Sequence, residues 1–288
     1  MSQHTRNILR IHAAVLLFGL AGLFGKLLTL EPVVIVFGRV VFASLTLFLV
    51  ATWWRGAGGS VSPWNLLAFA VLGVLLAIHW TTFFLSVQTS SVALALITYS
   101  TFPIFVVFLE PLFFREKLHA SDALLAAVAL AGIAILVPNF HLNDRVMRGV
   151  LWGVASGLTF ALLSLLNRKY VRQHSSITIA LYQDAFAAVA LLPFVIRRWP
   201  TVTLNDVLLL AVLGVLCTAI AHSLFIAGMS GISTRTASMI ACLEPVYGVV
   251  LAALILHEAP SARTILGGAV VLAVAVYASV RSEKRKEE

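Results

Sequence analysis

Residues 90–118, SSVALALITYSTFPIFVVFLEPLFFREKL, and residues 233–260, STRTASMIACLEPVYGVVLAALILHEAP, decide the fold because they are two copies of one pattern. Slid by 142 positions without gaps, Pro103 meets Pro245 and Glu116 meets Glu258, and identities at Ser91, Ala95, Val107, Leu109 and Leu112 join them. The match runs on through Leu124, Ala127, Val128, Leu130 and Ala131, which meet Leu266, Ala269, Val270, Leu272 and Ala273. Ala and Leu coincide readily in so apolar a chain, so the scarce proline and glutamate carry the alignment. Aligning instead on the LEP tripeptides at 109–111 and 243–245 loses the glutamate match.

Working outward, apolar runs near 8–29, 32–54, 64–86, 91–114 and 121–138 are followed by five more near 149–170, 176–196, 204–229, 233–256 and 261–281. The polar stretch NFHLNDRVMR at 139–148 separates the two sets. The reading is therefore an all-α integral membrane protein of ten transmembrane helices, built as a first five-helix repeat (1–138), a linker (139–148) and a second repeat with a basic cytoplasmic tail (149–288). An odd number of spans per copy turns the second copy upside down, which makes two inverted repeats around a central cavity.

Composition agrees. The 288 residues are 60% hydrophobic and 11% charged, where soluble domains carry about 25% charge. Ten spans of about 20 residues use most of the chain, which leaves no room for a fused nucleotide-binding domain or an enzyme head. The net charge of +8 is dispersed between apolar runs and in the tail RSEKRKEE, so it forms no nucleic-acid stripe. With the N-terminus inside, Arg6, Arg10, Arg55, Arg115, Lys117, Arg168, Lys169, Arg172, Arg235 and the tail cations Arg281, Lys284, Arg285 and Lys286 fall on the cytoplasmic side. Lys26, Arg145, Arg148, Arg197, Arg198 and Arg263 fall outside. Cys217 and Cys242 stand alone in apolar stretches, without metal-ligand spacing or a disulfide pattern. No cofactor and no metal are expected. The expected partners are a small-molecule substrate and the lipid bilayer, with a monomer expected and a homodimer as the alternative.

Ten spans, a five-plus-five repeat, and in each half a mid-span proline followed thirteen residues later by a loop glutamate resemble the drug/metabolite transporter superfamily, EamA type. Within it the chain most resembles the YddG aromatic amino acid exporters, though its first span, HAAVLLFGLAGLFGK, lacks the tryptophan usual in the family. The resemblance implies a ten-helix secondary transporter of the cell (inner) membrane with both termini cytoplasmic. It would export small amphipathic metabolites, aromatic and other apolar amino acids foremost, by alternating access; other metabolites or cationic drugs are the alternative cargo.

Ionisable groups deep in a bilayer need a partner or a function. Glu244, beside Pro245, is the first substrate-binding candidate, able to hold an ammonium group or take up a proton; the plainer reading is a carboxyl hydrogen-bonded to a neighbouring helix. Its counterpart in the repeat is Phe102, so an acid opposes an aromatic ring. Tyr99 shares a helical face with Phe102, and His79 and Phe83 stand one turn apart on span three. Tyr247 follows Glu244, and His222 lies on span eight, the partner of span three. Phe160 on span six, just beyond Gly149, Gly153 and Gly157, completes the set on the strength of the resemblance. For each aromatic ring, core or lipid packing competes with a binding role. Arg39 and Asp184, at pseudo-equivalent places on spans two and seven, are read as separate anchors rather than a charge pair, because 1.5 Å per residue leaves a gap of ~8 Å in depth between them. Gly19, Gly22 and Gly25 form a narrow face on span one for close packing.

Two rival classes were weighed. Gly228-Met229-Ser230-Gly231 resembles the GxSG of intramembrane serine proteases, but Ser230 falls in a turn, two turns from His222, and no base is placed at its own depth. A channel would need charge rings or carbonyl filters that the sequence does not signal. No P-loop is present, so the chain is not expected to be an enzyme or an ATP-driven pump.

Overall fold

The computed structural model describes residues 2–53, 61–114, 120–136, 141, 144–197, 201–232 and 234–284. Arg55, Arg115, Glu116, Lys117, Arg198, Ser233, Arg285 and Lys286, singled out from the sequence, lie outside them. The elements are α1 (Gln3–Leu27), α2 (Pro32–Trp53), α3 (Pro63–Thr89), α4 (Val92–Tyr99), α5 (Phe102–Phe114), α6 (Ala120–Leu136) and α7 (Arg145–Tyr170). There follow α8 (Ser176–Arg197), α9 (Leu204–Gly214), a π-helix (Val215–Ile220), α10 (Ala221–Gly228), α11 (Thr234–Ala241), α12 (Glu244–Ile255) and α13 (Ala262–Lys284). They make ten spans, because α4 and α5 share span four, α9 to α10 form span eight, and α11 and α12 share span nine. Among the described residues seven spans are long and apolar enough to cross a bilayer. Spans five, nine and ten hold shorter apolar helices at Leu124–Leu136, Met239–Ile255 and Ala262–Tyr277.

Spans four and nine read as continuous apolar runs, yet both are broken, at Ser100–Thr101 and at Cys242–Leu243. These positions are 142 apart, the offset of the repeat. Pro103 and Pro245 are therefore not mid-helix residues: each is the second residue of a new helix, where its missing N–H costs nothing. In span four, backbone N–H groups of Ser100 and Thr101 reach Leu96 O and Thr98 O, and hydroxyls add second donors around the break: Thr98 Oγ1 donates to Leu94 O at 2.8 Å, Ser100 Oγ to Leu96 O at 2.8 Å and Thr101 Oγ1 to Thr98 O at 2.8 Å. Without such partners a broken backbone at this depth would be costly.

Packing repeats with the sequence. α2 lies against α8 and α6 against α13, each pairing a span with its counterpart; α1 packs on α10 as α7 packs on α3. A Cβ on Gly73 of α3 would meet Gln183, Phe186 and Ala187 of α8, and one on Gly214 of α9 would meet Arg39, Phe42 and Ala43 of α2. Gly73 and Gly214 are thus equivalent, and so are Gln183 and Arg39. The helix caps Ser62 and Thr203, each accepting from the third residue of its helix, have the same relation. The glycine pair and the cap pair stand 141 apart, one short of the offset found from residue 91 onward. The π-helix, which widens one turn, supplies the extra residue.

Candidate functional site

Where α1, α2, α3, α7 and α10 meet the two breaks, the fold encloses a cavity. The space open to the centre of a water molecule is about 40 Å³, room for a few waters but not for an amino acid. Six of the eight sequence-selected residues line it: His79, Phe83, Tyr99, Phe160, His222 and Glu244. The other two sit just outside the lining. Phe102 stacks on Tyr99 at 5.3 Å between ring centres and meets Phe160 edge-on at 4.9 Å, bracing both from behind. Tyr247 is half-buried against α1, its Cβ where Gly19 leaves room.

Phe102 and Glu244 are the first residues of α5 and α12, so the repeat brings one ring and one carboxyl to the two breaks. Glu244 is buried. The Tyr99 hydroxyl faces its carboxyl from the other half, while Glu244 Oε2 is a buried acceptor without a partner among the described residues. Buried polar atoms are normally satisfied, so an orphan on a cavity wall marks a place for a ligand donor.

Aromatic rings form the rest of the wall. Phe160 lies 5.2 Å from His79, 5.3 Å from Tyr99 and 5.5 Å from Phe225, which in turn meets Phe18 at 5.7 Å. His79 is held by α7: its Nδ1 is 3.0 Å from Ser156 O and 2.9 Å from Ser156 Oγ, whose hydroxyl also reaches His79 O at 3.1 Å. This contact exists because α7 approaches closely along its small residues. A Cβ on Gly153 would collide with Thr98, and one on Gly149 with Ser90.

Sequence reasoning passed over several lining residues. Phe18, Trp80, Asn167 and Phe225 belong to the wall, and only Trp80 had a signal, its place beside His79. Arg39 also reaches the wall, 1% exposed. Its Nε donates to Thr218 Oγ1 at 2.9 Å and its Nη2 to Cys217 O at 3.2 Å, both in the π-helix. Its guanidinium lies 3.7 Å from the Trp80 ring centre, a cation–π contact. Arg39 and Asp184 therefore have separate partners: Asp184 faces His222, with Oδ1 3.7 Å from Nδ1. Glu110, not singled out, is fully buried on α5 and pairs with Arg168 of α7 at 3.0 Å. Ser230 is exposed in the turn after α10.

A family model described as the EamA-like transporter family matches residues 6–137 and 147–280. The chain belongs to that family, within the drug/metabolite transporter superfamily. It is a multi-pass membrane protein and a secondary transporter of small metabolites, not an enzyme. It is 24% identical to the uncharacterized transporter YxxF of Bacillus subtilis (strain 168), over 98% of this chain and 92% of that protein. It is 27% identical to an S-adenosylmethionine uptake transporter of Rickettsia bellii (strain RML369-C), over 74% of this chain and 72% of that one. It is 24% identical to the uncharacterized inner membrane transporter YicL of Salmonella typhimurium (strain LT2), over 77% and 74%. A crystal structure with a TM-score of 0.71 and 18% identity, covering 98% of this chain and 99% of the other, has the same fold.

Proposed function

We propose that this chain carries small amphipathic molecules bearing an amino group, aromatic and other apolar amino acids foremost, out of the cell across the inner membrane. The observation that carries the reading is the Glu244 carboxyl, with its buried unpartnered oxygen, set in a wall of Tyr99, Phe83, Phe160, Phe18 and Phe225. A carboxylate takes the ammonium group by charge-assisted hydrogen bonds, the rings take an apolar body, and Arg39 is the cation of the wall. His79, His222 and Trp80 complete it, with Phe102 behind. The cavity is too small for such a substrate, so the spans must part to admit it. The repeats at 1–138 and 149–288 approach the cavity from opposite sides, with both termini cytoplasmic.

A second reading has its own support. Relatives from Rickettsia are S-adenosylmethionine uptake transporters, and an aromatic wall beside a carboxylate also suits a sulfonium cation. Counterflow in proteoliposomes separates the two. Protein in vesicles preloaded with unlabelled candidate is challenged with labelled phenylalanine, tryptophan, threonine, a nucleoside, S-adenosylmethionine or a cationic dye, without an ion gradient. Accumulation of phenylalanine and tryptophan is expected. Accumulation of S-adenosylmethionine alone would transfer the site to the second reading, and of dye or nucleoside alone would overturn both.

A further inference from the structure

Behind the cavity lies a buried acid that the transport of an amphipathic molecule does not use. Asp184 of α8 is 0% exposed, does not belong to the cavity lining, and has no hydrogen-bond partner for either carboxylate oxygen among the described residues. His222 of α10 stands between it and the cavity. Its ring is part of the lining and packs edge-on against Trp80 at 5.7 Å. Its Nδ1, also buried and without a hydrogen bond, is 3.7 Å from Asp184 Oδ1. Two unsatisfied buried groups facing each other across two spans are expensive in lipid. A proton on the Asp184 carboxyl lowers that cost, because it removes the buried charge and its O–H can donate to Nδ1 of a neutral His222 once the gap closes.

From this geometry we infer that Asp184 and His222 form a proton-binding site, loaded from the cavity through His222, which couples proton movement to the carrier cycle. The groups facing the pair fit that role. Arg39 of α2 acts on Asp184 electrostatically, but its hydrogen bonds go to Thr218 and Cys217 O, and both Asp184 oxygens are left without a hydrogen bond among the described residues. Cys217 lies on the π-helix beside Arg39. His79 of α3 and Glu244 of α12 face the pair across the same cavity. His79 is already held by Ser156, and Glu244 is the substrate group proposed above. With the proton on the Asp184 carboxyl, an O–H···N bond to His222 Nδ1 ties α8 to α10. When the proton returns to cavity water the tie is lost, and α10, which follows directly on the π-helix, is freed from α8. Opening the cavity to one side of the membrane would therefore load or empty the site from that side.

Where the proton binds is independent of the substrate reading; what its binding drives rests on that reading. The test is a pH titration of the full chain in lipid, followed by infrared difference spectroscopy of the protonated-carboxyl band. The expected result is a titrating band that Asp184→Asn removes, that His222→Gln shifts and that Glu244→Gln leaves in place. A wild type with no such band, a band lost in Glu244→Gln instead, or a band that follows sodium at constant pH would overturn the site. The wild-type titration needs no variant to fold. Failure of counterflow with a titrating Asp184 band would sink the carrier reading alone, and successful counterflow without the band would sink the proton site alone.

Discussion

Tyr99 and Glu244 come from opposite halves of the chain and meet at the breaks of spans four and nine. The hydroxyl faces the carboxyl, whose Oε2 is left without a partner among the described residues. Tyr99→Phe keeps the ring and removes the donor. A hydrogen bond to a charged group is worth about 1.5–3 kcal/mol, so amino acid counterflow should fall by tenfold or more in that variant, with the protein still folded. At the same scale, Thr218→Val leaves the Arg39 Nε without its partner in a buried site. Stranding a buried donor costs about 1–3 kcal/mol, and a lower midpoint of thermal unfolding in detergent is the expected sign of it. An unchanged midpoint would mean that Arg39 finds another acceptor within the π-helix. Glu244 was legible because a lone acid beside proline in an apolar span is rare, and the aromatic set near it could be read from helical spacing. Phe18, Asn167 and Phe225 were not, because each is an ordinary residue of its span and only tertiary packing turns it inward.

Among the elements, the termini of the broken helices are the informative parts. α4 begins at a strand-like Ser91, whose hydroxyl accepts from Leu94 N at 3.1 Å, while Glu258 Oε1 accepts from Val92 N at 2.7 Å. The loop glutamate of the repeat therefore caps a helix of the other half. His257, in the left-handed region at φ 56°, ends α12 and turns the chain so that Glu258 can reach it. Negative charge suits a helix N-terminus, and losing a cap costs about 1 kcal/mol. Glu258→Ala should lower unfolding stability by about that much, whereas Glu258→Gln, which keeps an acceptor oxygen, should lose less. Equal losses would assign the effect to charge alone. The sequence alignment found this glutamate but not its task, since nothing in spacing tells a cap from a surface acid. The breaks themselves were hidden because the prolines that announce them are also tolerated inside continuous spans, and the serine and threonine hydroxyls around the break of span four look like scattered polar residues.

For the molecule as a whole, ten spans and two repeats were readable because hydropathy and the 142-residue offset record the bilayer and the duplication directly. The offset could not disclose the π-helix: a one-residue insertion in an apolar run leaves no trace until Gly73 and Gly214 are seen holding equivalent neighbours. The same equivalence makes Gln183, rather than Asp184, the counterpart of Arg39, so the charges of spans two and seven were never a symmetric pair. Charge distribution along the chain sets its orientation. A fluorescent protein fused to the C-terminus should fold and fluoresce in cells, and alkaline phosphatase at the same point should stay inactive; the opposite pattern would invert the topology.

The central claim is that substrate sits between the halves on the Glu244 carboxyl. Counterflow of labelled phenylalanine through wild type and Glu244→Gln, reconstituted side by side at equal protein content, tests it most directly. Loss of an ammonium partner of this kind predicts a fall of about ten- to a hundredfold in Glu244→Gln, with wild-type elution and unfolding behaviour. Exchange through Glu244→Gln at the wild-type rate would contradict the account and return Glu244 to a purely structural role.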